Sequence, residues 1–358
     1  MAIQWMDNFG WCGTGSTSLT YLLSGTPYTL LSGATGFPNG VIADPVISGA
    51  YCLQVGQNLG NYYNADNQVA LPTPANAIGV ALRWYMSGGS GRSIIQWQDV
   101  GGNILFGLQN EINGALSIYG PGAFGGSQLA TTTVPVLTFN TWWHIEAMVD
   151  YALGKITVFV EGTQVLVYSF TEVPSPIIYN IGFSPRTGLG SPGGTILMKD
   201  YVIYDKSGTQ NNTVGSIGPC TVYRLALNSD VSNGWTITGA ASVNAAIGGE
   251  PPADSTSYIA AGYGPFPAPA VCGITSLPTT VVAVRGVMSL QRTKKSDGGV
   301  ASFQVNLKSG SSTHTGTTHN PATSYNYSWD VVELDPATGA LWTPIAVDNM
   351  NVQLNRTI

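Results

Sequence analysis

The sequence predicts an all-β chain, built as two β-sandwich domains. Charged residues make up 9% of the 358 residues, against roughly 25% in an average soluble protein. The chain contains 45 Gly and 21 Pro, the residues that supply tight-turn geometries. Short runs in which apolar and polar residues alternate are typical of half-buried strands. Because helix formers such as Glu, Lys and Arg are scarce, we expect little helix.

The first half of the chain is a series of such runs joined by turn signals. Strands are predicted at residues 77–87, 92–100, 103–110, 114–120 and 195–205. The pairs Gly101-Gly102 and Asn113-Gly114 stand between predicted strands, as hairpin turns require. We therefore expect antiparallel sheets in this half.

The run NTWWHIEAMVDYALGKITVFVEGTQVLVYSF, residues 140–170, predicts a three-stranded meander. Its first strand places Trp143 and Ile145 on one face and His144 and Glu146 on the other. Turns are expected at residues 151–154 and at Glu161-Gly162, where Gly can adopt a positive φ. We expect this run to build the sandwich, with His144 as a hydrogen-bonded structural residue.

Composition divides the chain into a first domain at residues 1–205, a linker at 206–219 and a second domain at 220–358. The linker, KSGTQNNTVGSIGP, is polar and rich in Gly. In the second domain, residues 279–310 predict a long hairpin with its tip at 294–299. Residues 249–269 form a long irregular segment that is rich in Pro.

Net charge and apolar runs exclude several classes of function. The net charge of −6 argues against a nucleic-acid-binding protein, whose surface would be basic. No apolar run reaches the roughly 18 residues of a membrane helix, so no membrane insertion is predicted. The first residues lack the basic and apolar stretches of a cleaved signal peptide, so we expect synthesis in a cytoplasm, or export by a route without a cleaved signal.

The four cysteines, Cys12, Cys52, Cys220 and Cys272, lie far apart without C-x-x-C spacing. This excludes a zinc ribbon and is too sparse for a disulfide scaffold. Buried free thiols are expected, although one bridge in each half is also possible.

The first domain resembles the concanavalin A-like and laminin-G-like jelly rolls. The resemblance depends on Trp142 or Trp143 before His144, on Glu161-Gly162 at a hairpin, and on Lys199-Asp200 in a closing strand. It covers roughly residues 1–205 and implies a two-sheet sandwich. This fold carries lectins, hydrolases and structural modules, so it does not by itself specify a function.

The second domain resembles a domain of tailed-bacteriophage virion proteins. The similarity lies in Gly234-Trp235-Thr236, in PPADSTSY at residues 251–258, and in Trp342-Thr343. It implies a place on the virion surface, with other proteins of the capsid or tail as partners. It also implies a homo-oligomer, with a trimer favoured. The interface residues expected from the Pro-rich segment are Pro251, Pro252, Tyr258, Tyr263 and Phe266.

Aromatic residues of the first domain are candidates for carbohydrate binding. A sugar ring packs its apolar side on an aromatic face, while amides and hydroxyls bind its rim. The candidates are Trp84, Trp97, Tyr119, Trp142 and Tyr179. Since most aromatics on alternating strands are buried, the expected role of each is mainly packing.

No catalytic residue is predicted. The Glu-x-Asp-x-x-Glu spacing of jelly-roll glycoside hydrolases and the Gly-x-Ser-x-Gly nucleophile motif do not occur. Apart from a possible calcium ion, no cofactor is expected. Asp150 and Asp200 end predicted strands and are weak calcium candidates. His314 and His319 are weak candidates for a metal held around a trimer axis.

These observations favour a non-enzymatic structural component of a tailed-phage virion, either a decoration protein or a tail or fibre appendage. Such a protein acts by protein–protein assembly, with adhesion to a host-surface glycan as a further possibility. A receptor-binding lectin is the alternative. A polysaccharide-degrading glycoside hydrolase is the weaker alternative, because no carboxylate pair is evident.

Overall fold

The computed structural model describes residues 3–12, 14, 26–31, 40–56, 67–88, 92–122, 126–171, 176–184, 194–207, 210, 216–249, 255–262 and 266–358. The chain divides into two units, Met1–Leu23 with Pro27–Val222 and Ser24–Thr26 with Tyr223–Ile358. Strands dominate both units, which confirms the predicted all-β fold class. No helix in the described part is long and apolar enough to span a membrane.

Fifteen strands are described in the first unit. They are β1 (Ile3–Asp7), β2 (Tyr28–Leu31), β3 (Val41–Ala43), β4 (Tyr51–Gly56), β5 (Asn67–Ala75), β6 (Ala77–Met86), β7 (Arg92–Gln98), β8 (Ile104–Asn110), β9 (Leu116–Tyr119), β10 (Gln128–Thr131), β11 (Trp143–Asp150), β12 (Lys155–Val160), β13 (Thr163–Ser169), β14 (Ile178–Ser184) and β15 (Ile196–Asp205). A short 3₁₀ turn, Gly10–Cys12, follows β1.

These strands form two antiparallel sheets. The first sheet has the order β13-β12-β11-β6-β15-β4-β3, and β1 also pairs with β15. The second sheet has the order β10-β9-β8-β7-β14-β5-β2. The predicted strands and the meander of β11 to β13 are therefore present, while the order of the strands depends on long-range pairing.

The two sheets pack face to face around an aromatic core. The Trp97 indole on β7 donates to the Ile78 carbonyl on β6 at 3.2 Å. The Phe183 ring on β14 meets Tyr201 on β15 edge to face, with centroids 5.9 Å apart. Contacts from one sheet to the other at both places establish a sandwich, as the resemblance to jelly rolls implied.

The hairpin turns follow the sequence signals. Glu161 and Gly162 both have positive φ, at 48° and 76°, the geometry of a type I′ turn whose twist matches the flanking strands. Gly114 has φ 84°, and a Cβ there would lie 2.1 Å from the Leu137 carbonyl oxygen. Residues 151–154 form the turn between β11 and β12, as predicted.

The second unit contains nine strands and two short helices in its described part. They are β16 (Leu227–Ser232), β17 (Thr236–Thr238), α1 (Val243–Ile247), β18 (Tyr258–Ala260), β19 (Ala270–Ile274), β20 (Val287–Thr293), β21 (Phe303–Ser309), β22 (Ser312–His314), β23 (Asn326–Val332), α2 (Pro344–Asp348) and β24 (Asn351–Arg356).

A five-stranded sheet of order β16-β19-β24-β21-β22 forms one layer of this unit. The two-stranded ribbons β17-β18 and β20-β23 form separate sheets. Ile274 and Leu307 on the five-stranded sheet share a core with Val332 on β23 and with Trp342 and Val347. The second unit therefore also buries a core between β layers.

The predicted hairpin over residues 279–310 is wrong. β20 pairs with β23, whereas β21 pairs with β22 and β24 in the five-stranded sheet. Residues 294–302 are long enough to carry the chain from one layer to the other. Alternation identified both strands correctly, but it does not specify the partner of a strand.

Candidate carbohydrate-binding face

The outer face of the second sheet is lined by amide side chains. Trp97 points into the core, so its neighbours Gln96 and Gln98 point outward. Register places Gln96 opposite Gly182 and Gln98 opposite Asn180 on β14. On β8, Gln109 is paired with Ser93 of β7 and Ser117 of β9. Four amides on three adjacent strands thus share one face.

Gln96 and Gln98 lie flat over a glycine. The Gln98 Nε2 donates to Gln96 Oε1 at 3.0 Å. A Cβ on Gly182 would lie 2.4 Å from Gln98 Nε2 and 2.9 Å from Gln96 Oε1. The absence of a side chain at Gly182 therefore makes room for this amide layer.

The side-chain oxygen of Gln98 accepts no hydrogen bond from the described residues. This Oε1 is buried, although buried polar atoms are nearly always paired. Nearby, Asn180 Nδ2 donates to the Asp99 carbonyl at 3.0 Å. An orphaned acceptor beside oriented amides is what a hydroxyl-bearing ligand or a bound water would complete.

Hydroxyl groups and a tyrosine continue the face toward β9. Ser117 Oγ donates to Thr131 Oγ1 at 3.0 Å and accepts from Gln128 Nε2 at 2.8 Å. The Tyr119 hydroxyl donates to Glu111 Oε1 at 2.9 Å. Burial, and then this carboxylate, raise the pKa of Tyr119 to about 12. Tyr119 therefore stays a neutral donor with its ring half-buried on the face.

We call this region the amide face and define it by Gln96, Gln98, Gln109, Ser117, Tyr119 and Asn180. Gln96, Gln98 and Ser117 are buried, whereas Gln109, Tyr119 and Asn180 are half-buried and form its accessible part. Each amide is both donor and acceptor, so it can match a hydroxyl in either role. A partly exposed tyrosine offers an apolar ring beside polar groups. The arrangement suits a neutral ligand that is rich in hydroxyls.

The structure corrects three of the predicted sugar-binding aromatics. Trp84 and Trp97 are 1% and 0% exposed, so neither ring can stack on a sugar. Trp142 is also buried, and its indole donates to Asp44 at 3.1 Å. Alternation of residues in the sequence does not show which face of a strand is covered by the other sheet, so it could not distinguish these buried rings from exposed ones.

The two predicted tyrosines remain candidates. Tyr119 belongs to the amide face, and Tyr179 on β14 is half-buried next to Asn180. Sequence reasoning missed the amides, although RSIIQWQDV carries a usable signal. Because successive side chains of a strand lie on opposite faces, Gln96 and Gln98 lie on the face opposite to Trp97. If the indole of Trp97 is buried between the sheets, both amides lie on the outer face.

The outer face of the first sheet is different, because residues 216–222 lie across it. The Glu146 carboxylate on β11 accepts from the backbone amides of Ile217 at 2.7 Å and Gly218 at 3.3 Å. The hydroxyls of Tyr204 and Ser216 also donate to it. Burial raises the pKa of Glu146 against the effect of these hydrogen bonds. Residues that were predicted as linker thus pack on the sandwich.

His144 lies on the same face and is fully buried. Burial, with the Arg83 cation beside it, lowers its pKa to about 4, so the imidazole is neutral at pH 7. Its Nε2 lies 3.7 Å from the Cys220 Sγ, and its backbone amide donates to Glu161 at 2.7 Å. His144 is thus buried in the sandwich, although its Nδ1 has no hydrogen-bond partner among the described residues.

A buried ion pair lies on this sheet near the end of β3. Lys199 pairs with Asp44, and its ammonium lies 4.3 Å from the centre of the Trp142 ring. Burial alone would raise the pKa of Asp44. Hydrogen bonds from Lys199, from the amides of Val46 and Ile47 and from Trp142 outweigh burial and lower it. Lys199 therefore serves packing and charge balance in this unit.

The carboxylates of the two weak calcium candidates, Asp150 and Asp200, are paired with side-chain cations in this structure. Asp150 pairs with Lys206. Asp200 pairs with Arg83 at 3.3 Å and accepts from the Val222 amide at 3.0 Å. Burial raises the pKa of Asp200 to about 6. Within the described residues, no three His, Cys, Asp or Glu side chains cluster as metal ligands.

His314 and His319 do not converge within one chain. His314 pairs with Leu307 and His319 with Phe303, positions four residues apart on β21, or about 13 Å along a strand. His319 Nε2 instead lies 3.0 Å from an Asp330 oxygen. A metal shared among copies stays a prediction.

The predicted interface residues are only partly described. Phe266 is 62% exposed, and the Arg356 guanidinium lies 5.6 Å from its ring centre. Tyr258 on β18 is half-buried. Pro251, Pro252 and Tyr263 lie outside the described residues. The four cysteines form no disulfide, and Cys12, Cys52 and Cys272 are buried.

Comparisons with known proteins find distant similarity in structure alone. No protein-family model matches the sequence, and neither does any curated protein. A sialidase structure has a TM-score of 0.40 and 13% identity over 57% of this chain, which corresponds to 18% of the sialidase chain. The carbohydrate-binding module CBM66 from Bacillus subtilis has a TM-score of 0.33 and 9% identity, over 49% of this chain and 94% of its own.

The galectin LEC-6 of Caenorhabditis elegans has a TM-score of 0.30 and 15% identity, over 42% of this chain and 94% of its own. Each of these likenesses covers little more than half of the chain or less. They carry no argument about ligand or activity, which therefore depend on the geometry described above.

Proposed function

We propose that the protein is a non-enzymatic, lectin-like structural component of a tailed-bacteriophage virion. In this proposal the first unit binds a neutral glycan of the host surface through the amide face. The second unit, by its sequence resemblance to virion proteins, joins the chain to other proteins of the particle surface.

The amide layer of Gln96, Gln98, Gln109 and Asn180 is the observation that carries the binding role. The buried acceptor Gln98 Oε1 has no hydrogen-bond partner among the described residues, and a ligand hydroxyl beside the amides would supply one. The hydrogen bond from Gln98 to Gln96, and that from Asn180 to the Asp99 carbonyl, fix the orientation of these amides before a ligand arrives, which lowers the entropy lost on binding.

Binding is favoured over hydrolysis because four of the described carboxylates lie on or next to strands of the first sheet, and the two that border the amide face, Asp99 and Glu111, accept hydrogen bonds from Asn103 and Tyr119. Glu146 already accepts four hydrogen bonds beneath residues 216–218. Asp44, Asp150 and Asp200 are paired with cations. A glycosidase needs two carboxyls that face the scissile bond from opposite sides, and these four are held by other partners.

The test is binding of the full chain to immobilised neutral polysaccharides and to glycans released from host cells. The double variant Gln109→Ala/Asn180→Ala removes two half-buried amides from the face, and we expect at least tenfold weaker binding. Gln164→Ala is the matched control, since Gln164 is an exposed amide on β13 of the other sheet.

The binding proposal fails if the wild-type chain retains no glycan, or if the double variant binds as well as the control. Release of reducing ends from the polysaccharide would instead favour the hydrolase. The virion proposal is tested separately, by counting copies of the chain in purified particles with quantitative mass spectrometry. Absence from particles contradicts it.

A further inference from the structure

The amide face contains a gap above Gly107 on β8. A Cβ placed on Gly107 would have the Ile95 carbonyl oxygen, at 3.9 Å, as its nearest heavy atom outside the adjoining residues of the chain. Gly182 on the same face differs, because a Cβ there would lie 2.4 Å from Gln98 Nε2. Since Gly107 itself is buried, the gap is narrow. It therefore suits a methyl group better than a sugar ring.

The side chains on both neighbouring strands lean away from this gap. Register places Gly107 between Gln96 on β7 and Tyr119 on β9. Gln96 Oε1 lies 2.9 Å from the position of a Gly182 Cβ, on the side of β14. The Tyr119 hydroxyl donates to Glu111, just after the end of β8. Neither side chain comes within 4 Å of the position of a Gly107 Cβ.

The two ends of the gap differ in polarity. Gln109 is two residues further along β8 and presents a half-buried amide on the same face. Leu105 is two residues before Gly107, and its half-buried side chain also lies on the outer face, because the intervening Phe106 is in the core. An amide, an apolar side chain and the Tyr119 ring thus border a methyl-sized space.

We propose that the amide face selects glycans that carry an N-acetylated amino sugar, whose acetyl methyl group fills the gap above Gly107. The acetamido group is itself an amide, so its N–H and its carbonyl match the acceptor and the donor of Gln109. Its methyl group packs against Leu105 and the Tyr119 ring. A plain hydroxyl at the same carbon would leave the lining of the gap without these contacts. This inference rests on the proposed function and specifies the ligand of the amide face.

The first experiment compares matched pairs of neutral oligosaccharides that differ only in the substituent at carbon 2, beginning with cellotetraose and tetra-N-acetylchitotetraose. Isothermal titration calorimetry with the full wild-type chain measures both dissociation constants. We expect the N-acetylated member to bind about tenfold or more tightly, the discrimination that one buried methyl group provides. Equal affinity for both members of each pair overturns the inference and leaves the glycan-binding proposal standing. Absence of binding by every member contradicts the glycan-binding proposal and this inference together.

The second experiment fills the gap with Gly107→Val. The valine side chain occupies the space of the acetyl methyl group, so the preference for the N-acetylated member should fall below about twofold. Gly298→Val is the matched control, because a Cβ on Gly298 has no heavy atom within 4 Å and lies in a loop of the second unit. A Gly107→Val variant that keeps the full preference overturns the inference. If this variant does not fold, the comparison of oligosaccharides on the wild type decides alone.

Discussion

The two outer faces of the sandwich in the first unit differ in what their polar groups do. On the first sheet, Glu146 and His144 are buried beneath residues 216–222, and the carboxylate has a full set of donors. On the second sheet, Gln98 donates to Gln96, and Gln98 Oε1 has no partner among the described residues. The buried carboxylate of Glu146 holds a segment of chain in place. Each face also has a buried atom without a described partner, His144 Nδ1 and Gln98 Oε1, but only Gln98 lies beside half-buried amides that a ligand can reach.

Glu146→Ala tests the first face and has the largest expected effect. The change leaves buried donors without an acceptor, and each costs about 1–3 kcal/mol. We expect the free energy of unfolding of the first unit to fall by about 3 kcal/mol or more. Calorimetry of the full chain, which separates transitions of the two units if they unfold independently, measures this.

Gln109→Ala on the second face is the matched change. Since Gln109 is half-buried at the ligand-facing surface, we expect a loss of about 0.5 kcal/mol or less. Equal losses for the two variants would mean that the faces do not differ as described.

The pH dependence of stability sharpens the comparison through His144. Its pKa is about 4 in the folded chain and about 6.5 when unfolded, so the unfolded chain binds the proton first as pH falls. Stability from the neutral imidazole is therefore complete above pH 6.5 and is lost progressively toward pH 4. His144→Gln removes this dependence.

Between pH 6 and pH 5 the wild type should lose about 1 kcal/mol more of its unfolding free energy than His144→Gln does. Denaturant titrations at the two pH values measure the difference. His314→Gln, at a half-exposed position on β22, is the matched control variant. Parallel pH profiles for wild type and His144→Gln would contradict a buried neutral imidazole.

Gly182→Ala disturbs the second face with a single methyl group. Its Cβ would collide with the amides of Gln96 and Gln98, so we expect weaker glycan binding and a loss of about 1 kcal/mol in stability. Gly107→Ala is the control for stability. It lies on the same face, where the nearest atom to its Cβ is the Ile95 carbonyl oxygen at 3.9 Å. If both variants keep full binding, the orientation of the amides is irrelevant.

The strands and turns of the first unit could be predicted because their signals are local. Glu161-Gly162 and Asn113-Gly114 specify turn geometry within a few residues, and alternation marks each strand between them. Strand partners could not be predicted in this way, as the false pairing of β20 with β21 shows, because pairing depends on residues far apart in the chain.

The candidate site was only half predictable for a related reason. Alternation shows that Trp97 and Gln98 lie on opposite faces, but which face is buried depends on the other sheet. From the sequence alone, Trp84 and Trp97 are candidates for stacking on a sugar, but both are buried in the core. Ser216 and Ile217, which donate to Glu146, lie about 70 residues away in the chain, in a segment whose composition predicts a polar linker.

Hydrogen exchange in the presence of a bound neutral oligosaccharide tests the amide face most directly. The account predicts slower exchange in β7, β8 and β14, which carry Gln96, Gln98, Gln109 and Asn180, and no change in β11 to β13 of the first sheet. Protection confined to the first sheet or to the second unit would contradict it.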